Sequence, residues 1–512
     1  MPTARARALV AALIVSCAPA AGAWGQASPS SLPVPDRRPV AITNVTVIDM
    51  TGAPARPGMT VVVSGEYVTG LGRTDSVAIP TSAVIVDGTG RFLIPGLWDM
   101  HVHLDDPEIW HLHPTSAEKE LQFPLLIANG VTGVRDMGGG LEQVLRWRAQ
   151  IEAGLRPGPK IFVGPLVDGP PPQWQGSIIA STAAEGREAV RALDRRGMDF
   201  IKVYQRLPRD VFLAIAEEAR RRGLPFAGHV PSRVGAAEAS DAGQRSMEHL
   251  FGLHLATSSR EEEFQRFIDS VFALGRGPGR AVTLLTSGAD PRLWASHDTA
   301  KAAALFARFV RNGTYQTPTM RAFWGYANVT DSAVLRDPRL RYAPRFLRDY
   351  WAAQRAAATG PGAERRLGEL RAAWPHAMAL IGRMHRAGVP MLVGTDLGAQ
   401  PYNFPGFAIH EEIALLVEAG MPPMAALQAA TVNAARFLGV LDSFGTVEWG
   451  KVADLVLLDA DPLADIRNTS RIRAVVLRGH LYGRTELDAM LRAATAVAAA
   501  PGSGGARKAP AR

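Results

Sequence analysis

Short apolar runs rich in β-branched residues are concentrated near the two ends of the chain. Residues 41–48, 60–63 and 83–86 form such runs in the N-terminal part, separated by Gly, Pro and Asp. Residues 454–458 and 473–477 repeat the pattern near the other end. Runs of this length between turn residues predict β-strands. Because the two strand-rich ends flank a long middle segment, we predict one small β-sandwich domain assembled from both ends of the chain.

The middle of the chain alternates between strand-like apolar runs and helical patterns. Residues 184–196 and 209–222 have helical patterns, and Gly223 follows the second one as a C-cap residue. Alternation of this kind over more than 300 residues favours a parallel α/β fold, and a (β/α)₈ TIM barrel over an open sheet. The clearest strand candidates are residues 132–135, 160–163, 200–203 and 391–394.

These patterns divide the chain of 512 residues, which is long enough for one large domain and a smaller one. A Ser/Pro-rich stretch near the N-terminus is typical of a linker, and the Ala/Gly/Pro-rich C-terminus is typical of a frayed end. The predicted segments are a signal peptide (1–27), a linker (28–38), the N-terminal part of the β-sandwich (39–93), the TIM barrel (94–438), the C-terminal part of the β-sandwich (439–487) and a flexible tail (488–512).

The N-terminus has the features of an export signal. Arg5 and Arg7 precede an apolar stretch at 8–23, which ends in small residues suited to a signal peptidase and is too short to span a bilayer. The single cysteine, Cys17, follows Ile-Val-Ser in an order that resembles a lipoprotein cleavage box. Cys17 is therefore either a lipid anchor or lost with the peptide. We expect an exported protein, periplasmic or secreted, or else a membrane-anchored lipoprotein.

The distribution of charge along the chain bears on whether the protein binds nucleic acid. The formal net charge is +8, but the basic residues are mostly arginines spread along the chain without a long basic run. This distribution argues against a nucleic-acid partner. No other stretch is apolar enough for a transmembrane segment, and one cysteine leaves the mature domain without a disulfide. The expected partner is a small-molecule or short-peptide substrate; a homo-oligomer stays open.

A pair of histidines at the first predicted barrel strand is the strongest chemical signal. His101 and His103 lie two residues apart, after Asp99 and Met100. Side chains two apart on a strand point the same way, so both imidazoles can reach one cation. The alternative is a chance pair of histidines on a buried strand.

Four further polar residues each lie near the C-terminal end of a predicted strand: Lys202, His229, His249 and Asp396. The C-terminal ends of the strands form the active-site face of a TIM barrel, so these side chains are expected to converge. Lys202 stands between two apolar residues, and a lysine is seldom buried unless it is paired. It is either a lysine extended towards water or one whose amine is held neutral and open to modification.

Together these motifs resemble those of the amidohydrolase superfamily. Residues 95–104 resemble its first-strand signature, and residues 394–396 resemble its last-strand aspartate motif. Residues 429–435 and 445–461 resemble its C-terminal signature. The resemblance extends over about residues 40–481. Within the superfamily the chain is similar to the branch of imidazolonepropionase-like proteins and Xaa-Pro dipeptidases.

The resemblance implies a binuclear metal centre. In relatives with this pattern a lysine carries a carbamate, formed with carbon dioxide, that bridges two divalent metals. Zinc is the expected metal for mixed His and carboxylate ligands, with manganese, iron and cobalt left open. The implied ligands are His101, His103 and Asp396 for the more buried metal, His229 and His249 for the second, and the bridging Lys202 for both.

The implied reaction is hydrolysis of a C–N amide bond in a small peptide or an N-acyl amino acid. A metal-bridging hydroxide is the expected nucleophile, because metals lower the pKa of water to about 7. Asp396 would shuttle its proton to the leaving nitrogen. Tyr204 is either a hydrogen-bond donor to the oxyanion or a packing residue.

Other functions stay open beside amide hydrolysis. Phosphoryl esters, carbonyl esters and lactones suit the same two-metal site. The other alternative functions are a one-metal deaminase and a catalytically silent exported binding protein. Lys202 argues against the deaminase, and the complete set of ligands argues against a relic site.

Other polar residues are weaker candidates. His113, in a loop after the first barrel strand, is a candidate substrate contact, and Arg321 is a candidate clamp for a substrate carboxylate. Arg135 is expected to form a structural ion pair with Asp136, with a substrate contact as the alternative. His410 is expected to support the site or the fold.

Overall fold

The computed structural model describes residues 38–275 and 278–500. The predicted signal peptide, Cys17, most of the linker and the end of the tail lie outside the described residues, so export and a lipid anchor stay predictions. Within the described ranges, no helix combines the length and apolar character needed to cross a membrane.

The described residues form strands and helices in alternation. The strands are β1 (Val40–Val47), β2 (Arg56–Ser64), β3 (Tyr67–Arg73), β4 (Val84–Asp87), β5 (Phe92–Pro95), β6 (Leu97–Val102), β7 (Val131–Asp136), β8 (Lys160–Val163), β9 (Leu166–Asp168), β10 (Ile178–Ile179), β11 (Ile201–Val203), β12 (Phe226–Gly228), β13 (Ser246–Glu248), β14 (Tyr315–Thr317), β15 (Leu455–Leu458), β16 (Ile472–Leu477) and β17 (His480–Gly483).

The α-helices are α1 (Ser116–Glu120), α2 (Gln122–Ala128), α3 (Leu141–Glu152), α4 (Ala183–Arg195), α5 (Arg209–Arg222), α6 (Ala236–Asp241), α7 (Leu253–Ala256), α8 (Glu261–Ala273), α9 (Arg280–Ser287), α10 (Pro291–Ala295), α11 (Thr299–Asn312), α12 (Met320–Ala327), α13 (Arg345–Ala357), α14 (Ala363–Arg386), α15 (Phe407–Glu418), α16 (Pro423–Ala429), α17 (Val432–Phe437) and α18 (Arg484–Ala499). Short 3₁₀ helices are Pro107–Leu112, Ser332–Arg336, Pro338–Tyr342 and Ile466–Ser470.

One sheet contains strands from both ends of the chain. Its order is β17-β16-β15-β5-β1-β2-β3, and β4 pairs with β1. Leu457 of β15 lies opposite Leu93 of β5, and Leu93 in turn lies beside Val47 of β1. These side chains are buried in one apolar cluster with Val61 and Val476. The strands are hydrogen-bonded as a single sheet, and their arrangement as a sandwich stays a prediction.

The middle of the chain forms parallel strands in the order expected of a barrel. One sheet has the order β6-β7-β8, and another has the order β10-β9-β11-β12-β13-β14. Residues 391–394, predicted as a strand, make only isolated bridges: Gln316 pairs with Met391, and Val102 pairs with Leu397, both in parallel. The segment 391–397 therefore lies between β14 and β6, and the described strands are not hydrogen-bonded into a continuous closed ring.

Two long insertions lie at the carboxyl ends of the barrel strands. The first runs from β13 to β14 and contains α7 to α11, and the second follows β14 and contains α12 to α14. Helix α12 begins at Met320, shortly after β14 ends at Thr317, which places Tyr326 at the opening beside the candidate metal ligands described below.

The C-terminal part of the chain differs from the predicted flexible tail. Residues Arg484–Ala499 form α18, in which Leu487, Ala494 and Ala498 are buried. Ala494 and Ala498 pack with Leu121 and Leu125, beside the first barrel strands. The Ala-rich composition that suggested fraying is also that of a good helix former, and burial of one face stabilises the helix here.

Shortening a buried side chain of α18 tests whether this helix is part of the folded domain. We expect Leu487→Ala to lower the free energy of unfolding by about 2–5 kcal/mol, because it empties a fully buried site. Denaturant unfolding followed by circular dichroism measures this. Leu155→Ala is the control, since Leu155 is 70% exposed and should change little. Equal stability of the two variants would mean that α18 does not support the fold.

Candidate metal centre

His101 and His103 end the first barrel strand with their rings directed at one carboxylate. The Nε2 atoms of both lie 3.3 Å from Oδ1 of Asp396. Asp396 directly precedes Leu397, which pairs with Val102 of β6, so the first and last barrel positions meet here. His101 is fully buried and His103 is half-buried at the edge of a cavity. The alternation of strand side chains therefore does place both imidazoles on the same side.

The other three predicted ligands surround the same point. The ring centroid of His249 lies 4.6 Å from that of His101 and 4.7 Å from that of His229. Lys202 is fully buried, and its Nζ lies 3.5 Å from Nε2 of His101. One ligand atom each of His101, His249 and Asp396 can be chosen within 4.8 Å of one another. Six residues from five separate parts of the chain thus converge at the carboxyl ends of the strands.

Several residues at this edge adopt a left-handed backbone. The φ angles are +63° at His249, +53° at Thr319 and +55° at Asp396. Such angles cost a non-glycine residue about 1–3 kcal/mol and persist only where surrounding contacts hold them. Here Asn403 donates to the carbonyl oxygens of Thr395 and Asp396. The turns direct the ligand side chains inward at the strand ends.

The Nδ1 atoms of three histidines are occupied by the protein. His101 Nδ1 donates to Glu248 Oε2 at 2.8 Å, and His103 Nδ1 donates to the Gly138 carbonyl at 3.3 Å. His249 Nδ1 lies 2.7 Å from the Thr319 hydroxyl. In His101 and His103 the other ring nitrogen, Nε2, is directed towards Asp396 at the centre. Metal-bound histidines are oriented in this way, through the ring nitrogen that does not bind the metal.

Glu248 is a functional residue that the sequence analysis missed. It is fully buried, and it accepts hydrogen bonds from His101 and from Arg135 Nη2, the latter at 2.9 Å. A charged residue in a short buried strand is the same signal that pointed to Lys202. Arg135 therefore pairs with Glu248 and not, as predicted, with Asp136, which accepts backbone N–H groups of Leu104, Gly138 and Gly139.

Asp99 is a second buried carboxylate that the sequence analysis missed. Its Oδ1 accepts the Thr395 N–H at 2.9 Å, and its Oδ2 accepts the Thr395 hydroxyl at 2.6 Å. Burial raises the pKa of Asp99 to about 7, against the opposing effect of these hydrogen bonds. Because Thr395 precedes Asp396, Asp99 positions the turn that carries the metal-site carboxylate.

The charges of the centre shift the pKa values of its own residues. Burial lowers the pKa of Lys202 to about 8, although Glu248 and Asp396 oppose the shift. Burial would raise the pKa of Asp396, but His249, His103 and Lys202 outweigh it and hold that pKa at about 2. Asp396 is therefore a carboxylate, surrounded by nitrogen donors.

This donor set fits divalent metal ions. Four imidazoles, one carboxylate and one amine are gathered in a mostly buried space, and mixed nitrogen and carboxylate ligands are those of zinc and its neighbours. His229 Nδ1 is buried without a hydrogen-bond partner among the described residues. A buried ring nitrogen left unpaired in this way is costly unless a ligand satisfies it.

A cavity of about 220 Å³ opens onto the metal-site residues. Tyr204 lines it and packs on His229, with ring centroids 3.9 Å apart. The Tyr204 hydroxyl accepts the Trp174 Nε1 hydrogen at 2.5 Å, so its own hydrogen is free for another acceptor. Tyr204 is therefore placed to donate into the cavity.

The two weaker substrate candidates are not among the described residues that line this cavity. His113 is exposed at the end of a 3₁₀ helix. Arg321 is buried, pairs with Glu411, and donates to the Tyr402 carbonyl. Glu411 and the Tyr402 carbonyl bind its Nε and Nη2 atoms, so the structure places it away from the cavity in which the predicted carboxylate clamp would act. His410 lies 3.1 Å from the Thr469 hydroxyl, in keeping with a structural position.

Removing the charge of Glu248 tests its positioning of His101. We expect Glu248→Gln to weaken metal affinity about 10–100-fold, the usual cost of losing a partner of a metal-bound histidine. Titration with a competing chelator measures this. Glu188→Gln is the control, since Glu188 is an exposed carboxylate on α4. Unchanged affinity in Glu248→Gln would contradict the role.

Comparison with known proteins identifies the family of the chain. The amidohydrolase family profile matches residues 92–276 and 354–482. Ochratoxinase from Aspergillus niger is 23% identical over 436 residues, covering 75% of this chain and 73% of that protein.

Two solved structures share the fold. A bottromycin amidohydrolase has a TM-score of 0.67 and 24% identity, covering 90% of this chain and 91% of its own. A Xaa-Pro dipeptidase with bound methionine in its active site has a TM-score of 0.61 and 19% identity, covering 87% and 100%. The fold is thus a TIM barrel with an additional domain. The family match covers more than half of the chain, which confirms the resemblance of its motifs: this protein belongs to the amidohydrolase family of metal-dependent hydrolases.

Proposed function

We propose that this enzyme hydrolyses a C–N amide bond in a small peptide or an N-acyl amino acid. The observation that carries the proposal is the convergence of His101, His103, His249, Lys202 and Asp396 beside a cavity that contains Tyr204. The names of two structural neighbours, an amidohydrolase and a dipeptidase, support an amide substrate.

Two divalent metals, with zinc expected, would occupy the centre. His101, His103 and Asp396 would hold one, His229 and His249 the other, and Lys202 would bridge them as a carbamate formed with carbon dioxide. The buried position of Lys202 beside His101 Nε2 supports this assignment. Bound metal ions of this kind polarise a substrate carbonyl and make water acidic enough to attack it near neutral pH.

Asp396 would move the proton in the reaction. Its carboxylate lies at the cavity, next to the histidines, and its low pKa keeps it ionised, with an oxygen available as proton acceptor. Delivering that proton to the leaving nitrogen matters for an amide, because an amine anion is a poor leaving group.

Tyr204 would stabilise the oxyanion that forms at the substrate carbonyl. The Trp174 indole occupies one lone pair of its hydroxyl and fixes the direction of the free O–H. A preoriented donor of this kind lowers the barrier, because it need not reorganise during the reaction. The cavity volume of about 220 Å³ favours a small substrate.

Comparing amide substrates with the corresponding ester substrates tests which bond the enzyme hydrolyses. We expect measurable kcat/KM on dipeptides or N-acyl amino acids, and a drop of about 10²–10³-fold in kcat for Tyr204→Phe, the usual cost of losing one oxyanion donor. Tyr315→Phe is the control, because Tyr315 is a buried barrel tyrosine that does not line the cavity. Robust turnover of esters, lactones or phosphotriesters with no amide cleavage would replace the amide assignment by one of those alternatives.

Metal content distinguishes the two-metal hydrolase from the alternative functions, a one-metal deaminase and a binding protein. Reconstituted protein should hold close to two metals per chain by plasma mass spectrometry, in line with a paired site. One metal with full activity on an amine-bearing ring would instead support the deaminase, and full metal loading without any turnover would support a binding protein.

A further inference from the structure

A second cavity lies among helices α7, α10 and α14. Its volume is about 190 Å³. Its lining is basic and aromatic, with no carboxylate side chain among the described residues that form it. These residues are His254, Trp294, His297, His376, Leu380 and Arg383. His376, Leu380 and Arg383 lie on α14 at intervals of four and three residues, so they share one face of that helix.

Arg383 carries a positive charge that no carboxylate balances within the described chain. Its Nη1 donates to His297 Nε2 at 2.8 Å, and its Nε donates to the Ala379 carbonyl of its own helix at 3.2 Å. The nearby carboxylate of Asp298 accepts the backbone N–H groups that begin α11. The guanidinium therefore retains both its charge and free N–H groups.

His297 holds Arg383 in this position. The Nε2 atom of His297 accepts a hydrogen from Arg383, so the ring hydrogen of His297 resides on Nδ1. This Nδ1 lies 3.2 Å from the Thr257 hydroxyl. Thr257 in turn donates to the His254 carbonyl. This chain of contacts connects the arginine to α7 and makes the cavity wall a fixed structure.

His254 contributes an unpaired polar group. Its side chain lines the cavity and the residue is only 7% exposed, yet neither ring nitrogen has a hydrogen-bond partner among the described residues. The ring is confined on its other side, since a Cβ at Gly288 would lie 2.5 Å from its Cδ2. Neither ring nitrogen is among the buried unpaired polar atoms of the described residues, so the ring meets solvent in the cavity, where a ligand can accept its hydrogen.

The rest of the wall is apolar and flat. Trp294 stacks on His376 with ring centroids 4.3 Å apart and an angle of 9° between the planes. Leu380 lies beside them on α14. A purely inorganic anion would leave this surface without a partner, whereas an organic acid would cover it.

We propose that this cavity binds a small organic carboxylate. The carboxylate accepts hydrogen bonds from Arg383 and His254, and the hydrocarbon part packs on Trp294 and Leu380. Arginine suits this role, because its planar guanidinium matches the two oxygens of a carboxylate. The site is independent of the metal centre and of the proposed function.

Fluorine NMR titration of the full metal-loaded chain with fluorobenzoate tests the proposal. Carboxylates also bind metals, so we expect two classes of site in the wild type. Arg383→Gln should weaken one class about tenfold or more, because it removes a charge-assisted hydrogen bond, and His254→Ala should weaken the same class. Asp396→Asn should alter only the other class.

Arg386→Gln is the matched control, since Arg386 lies on the same helix but is exposed and does not line the cavity. Circular dichroism and metal content should match the wild type in all cavity variants. Equal fluorobenzoate binding by Arg383→Gln and the wild type would overturn the proposal. Equal or tighter binding of inorganic phosphate at this class of site would overturn its assignment to an organic carboxylate.

Discussion

Replacing Lys202 with alanine is expected to lower turnover by about three orders of magnitude or more while the fold is retained. Lys202 is fully buried with its Nζ 3.5 Å from His101 Nε2, and in the proposed centre it bridges the metals. Losing the bridge should release the second metal. The contribution of a catalytic metal is several kcal/mol, and each 1.4 kcal/mol corresponds to about tenfold in rate.

Metal content and kcat should fall together in Lys202→Ala. Short carboxylic acids should restore part of the activity, because their two oxygens can replace the carbamate. Lys160→Ala is the matched control: Lys160 begins barrel strand β8, at the end of the strand away from the metal centre. If Lys202→Ala keeps the wild-type rate and metal content, Lys202 has only a structural role.

Replacing Arg135 with alanine is expected to cause the largest loss of stability, about 3–5 kcal/mol, because it leaves a buried carboxylate unpaired. Arg135 donates to the Met100 carbonyl at 2.6 Å, to the Ser246 hydroxyl at 2.9 Å and to Glu248 at 2.9 Å. No water-exposed surface is near, since Arg135 and Glu248 are both fully buried. The loss should appear in denaturant unfolding followed by fluorescence.

A double variant separates the stability of this pair from its function. Arg135→Met with Glu248→Leu removes both charges, so we expect it to recover much of the lost stability, while metal affinity stays low because His101 has lost its Glu248 partner. Arg148→Ala is the control; its pair with Asp199 is partly exposed and should contribute at most about 1 kcal/mol. If Arg135→Ala is no less stable than Arg148→Ala, the buried pair is not what holds these strands together.

The positions of the candidate metal ligands could be predicted because they follow from a local rule. His101, Lys202, His249 and Asp396 each follow an apolar run, and the ends of parallel strands meet at one face of a barrel. The expected convergence is present in the structure. Tyr204 was left open by the sequence, and only its contacts with Trp174 and His229 give its hydroxyl a direction.

Residues that support the site were harder to find. Glu248 and Asp99 each stand beside a more conspicuous residue, and their roles depend on partners far away in sequence, His101 for one and Thr395 for the other. Arg321 shows the reverse error. It follows a strand as a ligand would, but Glu411, on a helix 90 residues later, occupies its guanidinium.

The sequence by itself determined the alternation of strands and helices, the pairing of strands from both chain ends and the family of the enzyme. These properties depend on side-chain periodicity and on short motifs, which are local. Only the tertiary structure decided which charges are paired, which cavity each side chain lines, and that residues 484–499 are a packed helix. Those outcomes depend on distances between segments far apart in the chain, and burial changes the energy of a charge or a helix by more than its local sequence does.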